Sequence, residues 1–239
     1  MNNSIGTIIG AALLAFGIAM AGYFASQTLL NKERGANTAS VKGLSERLVP
    51  ADNATWVLEL ALEKDADANV SQAFQQLEAQ SKRLETVLTN AGFESSEISL
   101  SPIIKSDFVT RNDQGEISRR YYVINTQVKV ATQSPRKVVP ARGPVFALAK
   151  EGIFPRETRV SYNFTKLNDI KPDMLREATE NARIAANEFA KNAGVKVGGI
   201  QFASQGGFQI YAAQNDRPNA SEIDKLVRVV TNITFYLEN

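Results

Sequence analysis

Apolar residues fill the chain from Ile5 to Ala25 without a single charge. As a helix, at about 1.5 Å per residue, this stretch spans ~31 Å, close to one hydrocarbon core. Tyr23 and Phe24 stand near its end, where interfacial aromatics gather, and Lys32, Glu33 and Arg34 mark the return to water. Two readings compete: an anchor, and a cleaved signal peptide with Ala19-Met20-Ala21 as its small-residue site. The run lacks a basic n-region and exceeds an ordinary h-region, which favours the anchor. Gly6 and Gly10 form a GxxxG, and Gly17 and Ala21 a second small pair, the spacing that lets membrane helices pack closely. Glycine and alanine are also simply frequent in such helices.

Beyond a polar tether the period changes. Ala39–Leu48 reads as a strand, followed by a turn at Pro50, Asp52 and Asn53. Trp56, Leu58, Leu60 and Leu62 alternate with Glu59 and Glu63, the mark of a half-buried strand. Helical spacing then takes over through Val70, Phe74, Leu77, Leu84, Val87, Leu88 and Ala91. Asn69 is placed as N-cap, Gly92 just past the end, and Phe93 to pack back. Ile98–Thr110 reads as a strand broken near Pro102. Asn112–Gly115 is a hairpin turn, and Arg120–Ala131 alternates again with Tyr122, Ile124, Thr126, Val128 and Val130 on one face.

Pro135, Pro140 and Pro144 argue against a long helix over the next stretch and leave a short one at Val145–Lys150. Val160, Tyr162 and Phe164 alternate in a further strand. Pro172 suits the first turn of a second long helix, with a stripe of Leu175, Ala178, Ala182, Ala185, Phe189 and Ala193. Strands over Lys196–Ala212 and Lys225–Leu237 close the chain, joined by a polar loop over Gln214–Asp224 that reads as mobile. The two long helices end alike, Asn90-Ala91-Gly92 and Asn192-Ala193-Gly194. The expected class is therefore α+β: two strand–helix–strand–strand halves, about 39–132 and 133–239, with antiparallel sheet covered by two long helices. The domain plan is an anchor over 1–26, a tether over 27–38 and one domain over 39–239.

Composition narrows the chemistry. The chain has 239 residues, 44% hydrophobic and 22% charged, with a net charge of +2, which fits a folded protein and not a nucleic-acid binder. It contains no cysteine and no histidine. Disulfides, thiol nucleophiles and thiolate metal sites are thereby excluded, along with the commonest general base. Glu59 and Glu63, four strand positions apart, stand ~13 Å from one another, too far for a glycosidase pair. Glu177 and Glu180 read as helix-dipole partners on a solvated face. Arg119 and Arg120 beside Tyr121 and Tyr122 read as a solvated strand start, and Asp65 and Asp67 lack calcium-loop spacing. Gly206-Gly207 reads as a bulge rather than a phosphate loop. No catalytic residue, cofactor or metal site is expected.

The last strand is apolar or β-branched on both faces, and Val227, Val229, Ile233 and Phe235 are its candidate interface residues. One reading makes it a central strand covered on both sides within the chain. The other makes one face a subunit contact.

Several segments, taken in order, resemble the SIMPL-domain family, also called DUF541. They are Val41-Lys42-Gly43-Leu44-Ser45-Glu46-Arg47 with Pro50, and Thr86-Val87-Leu88 ahead of Asn90-Ala91-Gly92 with Glu97-Ile98. The strand around Tyr121 and Tyr122 follows, then the helix carrying Glu177-Ala178, Asn181-Ala182-Arg183 and Ala190–Gly194. The resemblance covers Ala39 to Asn239. It implies a bacterial envelope protein, single-pass in the inner membrane with its domain in the periplasm. It also implies self-assembly into a large ring or hollow scaffold and a link to envelope or oxidative stress. No catalytic residues come with it. Expected partners are further copies of the chain and, through the N-terminal helix, the membrane. The alternative is a periplasmic module that binds a small ligand or a lipid.

Overall fold

The computed structural model describes residues 14–26, 37–213 and 222–238. Its helices are α1 (14–26), α2 (Val70–Asn90), α3 (Val138–Ala147) and α4 (Leu167–Ala193). Its strands are β1 (Thr38–Pro50), β2 (Asn53–Asp65), β3 (Ile98–Leu100), β4 (Ile104–Arg111), β5 (Ile117–Thr132), β6 (Arg156–Asn163), β7 (Lys196–Gln205), β8 (Gln209–Ala212) and β9 (Asp224–Glu238). The strands form a five-stranded sheet in the order β3-β5-β2-β6, with β4 also on β5, and a four-stranded sheet in the order β1-β9-β7, with β8 also on β9. The pairs β2–β5, β2–β6, β3–β5, β4–β5 and β7–β9 are all antiparallel.

Each sheet carries one long helix, but the leading strands are exchanged. The strand β6, which precedes α4, joins the sheet under α2. The strand β1, at the head of the first half, joins the sheet under α4. Compactness follows this exchange rather than a cut at 132/133. One unit gathers residues 1–45, 172–208 and 228–239, and the other gathers 46–171 and 209–227.

In the second of these units, Trp56, Leu58 and Leu60 of β2 and Ile124, Val128 and Val130 of β5 form a buried apolar face. It packs on Leu77, Leu84 and Leu88 of α2. Asn69 caps α2 as its spacing implies, its side chain accepting from the Gln72 N–H at 3.1 Å. The helix ends in a Schellman arrangement: Phe93 N–H donates to the Leu88 carbonyl and Gly92 N–H to that of Thr89, with Gly92 at φ 94°. Phe93 then packs back, its ring 6.5 Å from Trp56. The same closure recurs in the first unit, where Val195 N–H donates to Ala190 and Gly194 takes φ 73°. A shared C-terminal motif is thus the cause of the repeated Asn-Ala-Gly.

Three expectations are corrected. Helix α3 begins at Val138 and runs through Pro140 and Pro144, so the short helix starts earlier than the expected Val145–Lys150, whose first half ends α3 and whose second half lies in the 3₁₀ turn Leu148–Glu151. Pro140 falls in the first turn, where an N–H has no helical acceptor, so only Pro144 removes a bond. Buried Val138, Ala141, Val145 and Leu148 supply the stripe. Helix α4 begins at Leu167, ahead of Pro172, and its buried stripe is Met174, Ala178, Ala182, Ala186 and Ala190. Ala185 and Phe189 face out, Phe189 at 55% exposure; the helix turns Ala178 and Ala182 to the sheet, where its backbone comes close over Gly43. The strand expected over Lys196–Ala212 is interrupted, so that β7 and β8 are separate. The loop expected to be mobile lies largely outside the described residues.

Helix α1 is apolar and exposed along its whole length. Among the described residues no helix is long and apolar enough to cross a membrane. The expected span starts at Ile5, in residues outside those described.

Candidate functional site

The family-like segments at 41–47 and 177–183, far apart in sequence, meet in the first unit. Asn181 Nδ2 donates to the Leu44 carbonyl at 2.8 Å, and Ser45 Oγ donates to Glu177 Oε2 at 2.9 Å. Between these bonds Gly43 lies directly beneath α4. A Cβ there would stand 2.7 Å from Ala182 N and 2.8 Å from its Cβ. On the adjoining strand, Ile233 and Phe235 of β9 pack on Ala182 and Ala186. The Arg183 guanidinium sits 5.0 Å over the Phe235 ring. The seam is a close helix-on-sheet contact bordered by side chain-to-backbone and side chain-to-side chain bonds.

The candidate interface residues are not on a surface. Val227, Val229, Ile233 and Phe235 are all buried within the chain. This corrects the subunit-contact reading of that face, since a side chain already covered has no area left to offer. Of the membrane-packing candidates, Gly17 and Ala21 lie on exposed α1, with nothing within 4 Å of a Cβ at Gly17. Gly6 and Gly10 lie outside the described residues.

The second unit holds two polar clusters. Trp56 Nε1 donates to Glu157 Oε2 at 2.8 Å, and Arg142 of α3 forms a bidentate pair with the same carboxylate at 2.9 Å. The Tyr162 hydroxyl is buried and has no hydrogen-bond partner among the described residues. Burial pushes its pKa up, Glu157 adds to this and Arg142 opposes it. The other cluster covers the outer face of the five-stranded sheet. Arg119 bridges Glu63 and Asp65 and stacks 4.8 Å from the Tyr121 ring, which in turn stacks on Phe108 at 5.3 Å. Arg156 takes up Glu59. The carboxylates of β2 that sequence spacing separates are thus each matched to an arginine on this open face.

Sequence reasoning missed β4 as a surface. Every residue of β4 is exposed, Ile104 at 59% and Phe108 at 44%. Among the described residues its one paired neighbour is β5. The signal was the pattern Ile104-Lys105-Ser106-Asp107-Phe108, in which apolar residues lie on a strand that neither long helix covers.

A cleft of about 340 Å³ lies beside α2 and α3, lined by Arg83, Val87, Asn90, Pro144, Leu148 and Glu151. The Arg83–Glu151 pair is bidentate at 2.7 and 2.8 Å. It raises the guanidinium pKa and holds the carboxyl below its usual range. Among the described residues no group of three or more Asp and Glu side chains is placed to hold a metal ion.

Two antiparallel sheets, each under one long helix and with exchanged leading strands, define an α+β domain of mixed helix and strand. The SIMPL family model, described as a protein of unknown function (DUF541), matches residues 39–233. The chain belongs to this family. No curated protein matches the chain.

Proposed function

We propose that this chain is a non-enzymatic protein of the bacterial envelope, anchored in the inner membrane by its N-terminal helix, whose periplasmic domain self-assembles into a large homo-oligomer. The observation that carries the reading is β4: an edge strand with exposed apolar side chains and an aromatic–arginine stack on the adjoining face. Edge strands left open and apolar pair with other chains unless something blunts them. The exposed apolar surface of α1 supports the anchor, and confinement to a plane raises the effective concentration of weak interfaces. Bacterial origin, the periplasmic address and a role in envelope or oxidative stress rest on family resemblance.

Light scattering on the detergent-extracted full chain tests this, beside a chain that begins at Ala39. A large, defined oligomer in both is the expected result, with the anchor as tether. Loss of mass on truncation moves the assembly role to the Gly-rich N-terminal segment. A monomer in both ends the scaffold reading. The alternative is small-ligand or lipid binding, for which the cleft beside α2 and α3 is the place to look; its arginine is already engaged by Glu151, so it offers an anion little.

A further inference from the structure

The edges of the two sheets are not equally open. Strand β6 carries Arg156 and Arg159, and its register with β2 breaks between Val57 and Leu58. Strand β7 shifts register against β9 at two places. Register breaks of this kind discourage a further strand. Strand β4 pairs with β5 without a break from Ile104↔Asn125 to Thr110↔Arg119, and its first irregularity comes between Thr110 and Arg111. Its open side is therefore a straight, regular template over Ile104–Thr110.

What this template fits can be read from its sequence. Ile104, Ser106 and Phe108 share the outer face; Lys105, Asp107 and Val109 share the other. A second copy of β4, antiparallel about a two-fold axis perpendicular to the sheet, pairs residues of the same face. With the axis at Ser106, Lys105 of each copy lies opposite Asp107 of the other, and Ile104 opposite Phe108. Lys105 and Asp107, which already pair with each other within the strand, thus gain a second opposite charge across the contact, and both apolar residues are matched twice. The row Tyr121–Phe108 is then extended by Ile104 of the second copy. Neighbouring registers lack this complementarity. An axis at Asp107 sets that carboxylate against itself, one at Lys105 sets two ammonium groups together, and one at Phe108 sets Lys105 against Arg111. An axis at Val109 brings Asp107 towards Arg111. It needs pairs across the irregularity at Thr110/Arg111, where Arg111 already donates to the Gly115 carbonyl at 2.8 Å.

We propose that β4 pairs with β4 of a second copy of this chain, antiparallel about a two-fold at Ser106, joining two five-stranded sheets edge to edge. The inference rests on the self-assembly reading and supplies one of its interfaces, an isologous one.

The chain has no cysteine, so single cysteines report the register directly. In the full-length protein, Ser106→Cys places two thiols directly opposite, with Cβ atoms ~4.5–5.5 Å apart before closure. Mild oxidation is expected to convert it to a covalent dimer. Thr110→Cys, whose two copies stand ~27 Å apart in this register, is expected to stay uncrosslinked. Lys105→Asp is expected to weaken the contact roughly tenfold by setting two pairs of carboxylates together, and the swap K105D/D107K to restore it. Circular dichroism of each variant checks that the exposed substitutions leave the fold intact. A crosslink at Val109→Cys in place of Ser106→Cys overturns the register. So does an oligomer mass indifferent to Lys105→Asp. If either occurs while the wild-type chain still scatters as a large particle, the interface lies elsewhere and self-assembly stands. If the wild-type chain is monomeric, both readings fall.

Discussion

Gly43 is the residue on which the seam between β1 and α4 depends. Its missing side chain lets the helix backbone at Ala178 and Ala182 come down onto the strand, and the atoms a Cβ would meet are mostly backbone, unable to swing aside. Gly43→Ala is expected to destabilise the fold by about 3 kcal/mol, the upper part of the usual range for overpacking. Gly143 provides the opposite case. It lies within α3 with nothing within 4 Å of its Cβ position. Gly143→Ala is expected to stabilise by ~1 kcal/mol through helix propensity alone. Urea denaturation of both variants beside the wild type reads the two signs. Equal effects would mean that the seam relaxes around an added methyl.

Among the elements, α2 and the 3₁₀ turn at Leu148–Glu151 are joined by charge. The hydrogen bonds from Arg83, with its Coulombic pull added, outweigh desolvation and hold the Glu151 carboxyl below its ordinary value. Glu97 is depressed as well; burial pushes it up, but bonds from Thr132 and the Glu94 N–H, with Lys137 nearby, prevail. A carboxyl depressed in the fold contributes stability that is full above its unfolded value and disappears as pH falls through its folded value. The urea midpoint is therefore expected to fall on acidification from pH 7 to pH 3, and to fall less in Glu151→Gln. An identical fall in the variant would remove the pair from the acid response. At this scale the sequence was most readable where one residue type does one local job. Asn69 and the two Schellman glycines marked helix ends, and alternation marked β2 and β5. It misled where a tertiary neighbour decides. From Ala178 onward the α4 stripe follows the small residues, and Gly43, more than a hundred positions away, is what brings the backbone at Ala178 and Ala182 down to the strand. Likewise the exposed character of β4 follows from what fails to cover it, which periodicity does not record. Burial of Val229 and Phe235 is the same lesson in reverse, since a two-sided apolar strand looks identical whether its cover is its own chain or another.

For the whole molecule, the ordering of strands matters more than their number. Ser40 and Thr234 share a hydrogen bond across 194 residues, and Leu237 N–H donates to the Asn37 carbonyl at 2.8 Å. Contacts of such separation slow folding, because the loop must close before they contribute. A circular permutant that links residue 238 to residue 37 and opens the chain at the Asn112–Gly115 turn turns these pairings into local ones. It is expected to refold several-fold faster than the natural order, measured by stopped-flow fluorescence of Trp56. Equal rates would place the slow step in the other sheet.

The exchange of leading strands also sets a timetable for synthesis. β1 leaves the ribosome long before β9, beside which it lies. Until then β1 lacks its sheet neighbour, and the sheet under α2 lacks β6 until Arg156–Asn163 has emerged. The layer under α2 is complete once β6 has emerged, whereas the layer under α4 waits for β9, so any cellular factor that holds the unpaired β1 has the whole interval between the two strands in which to act.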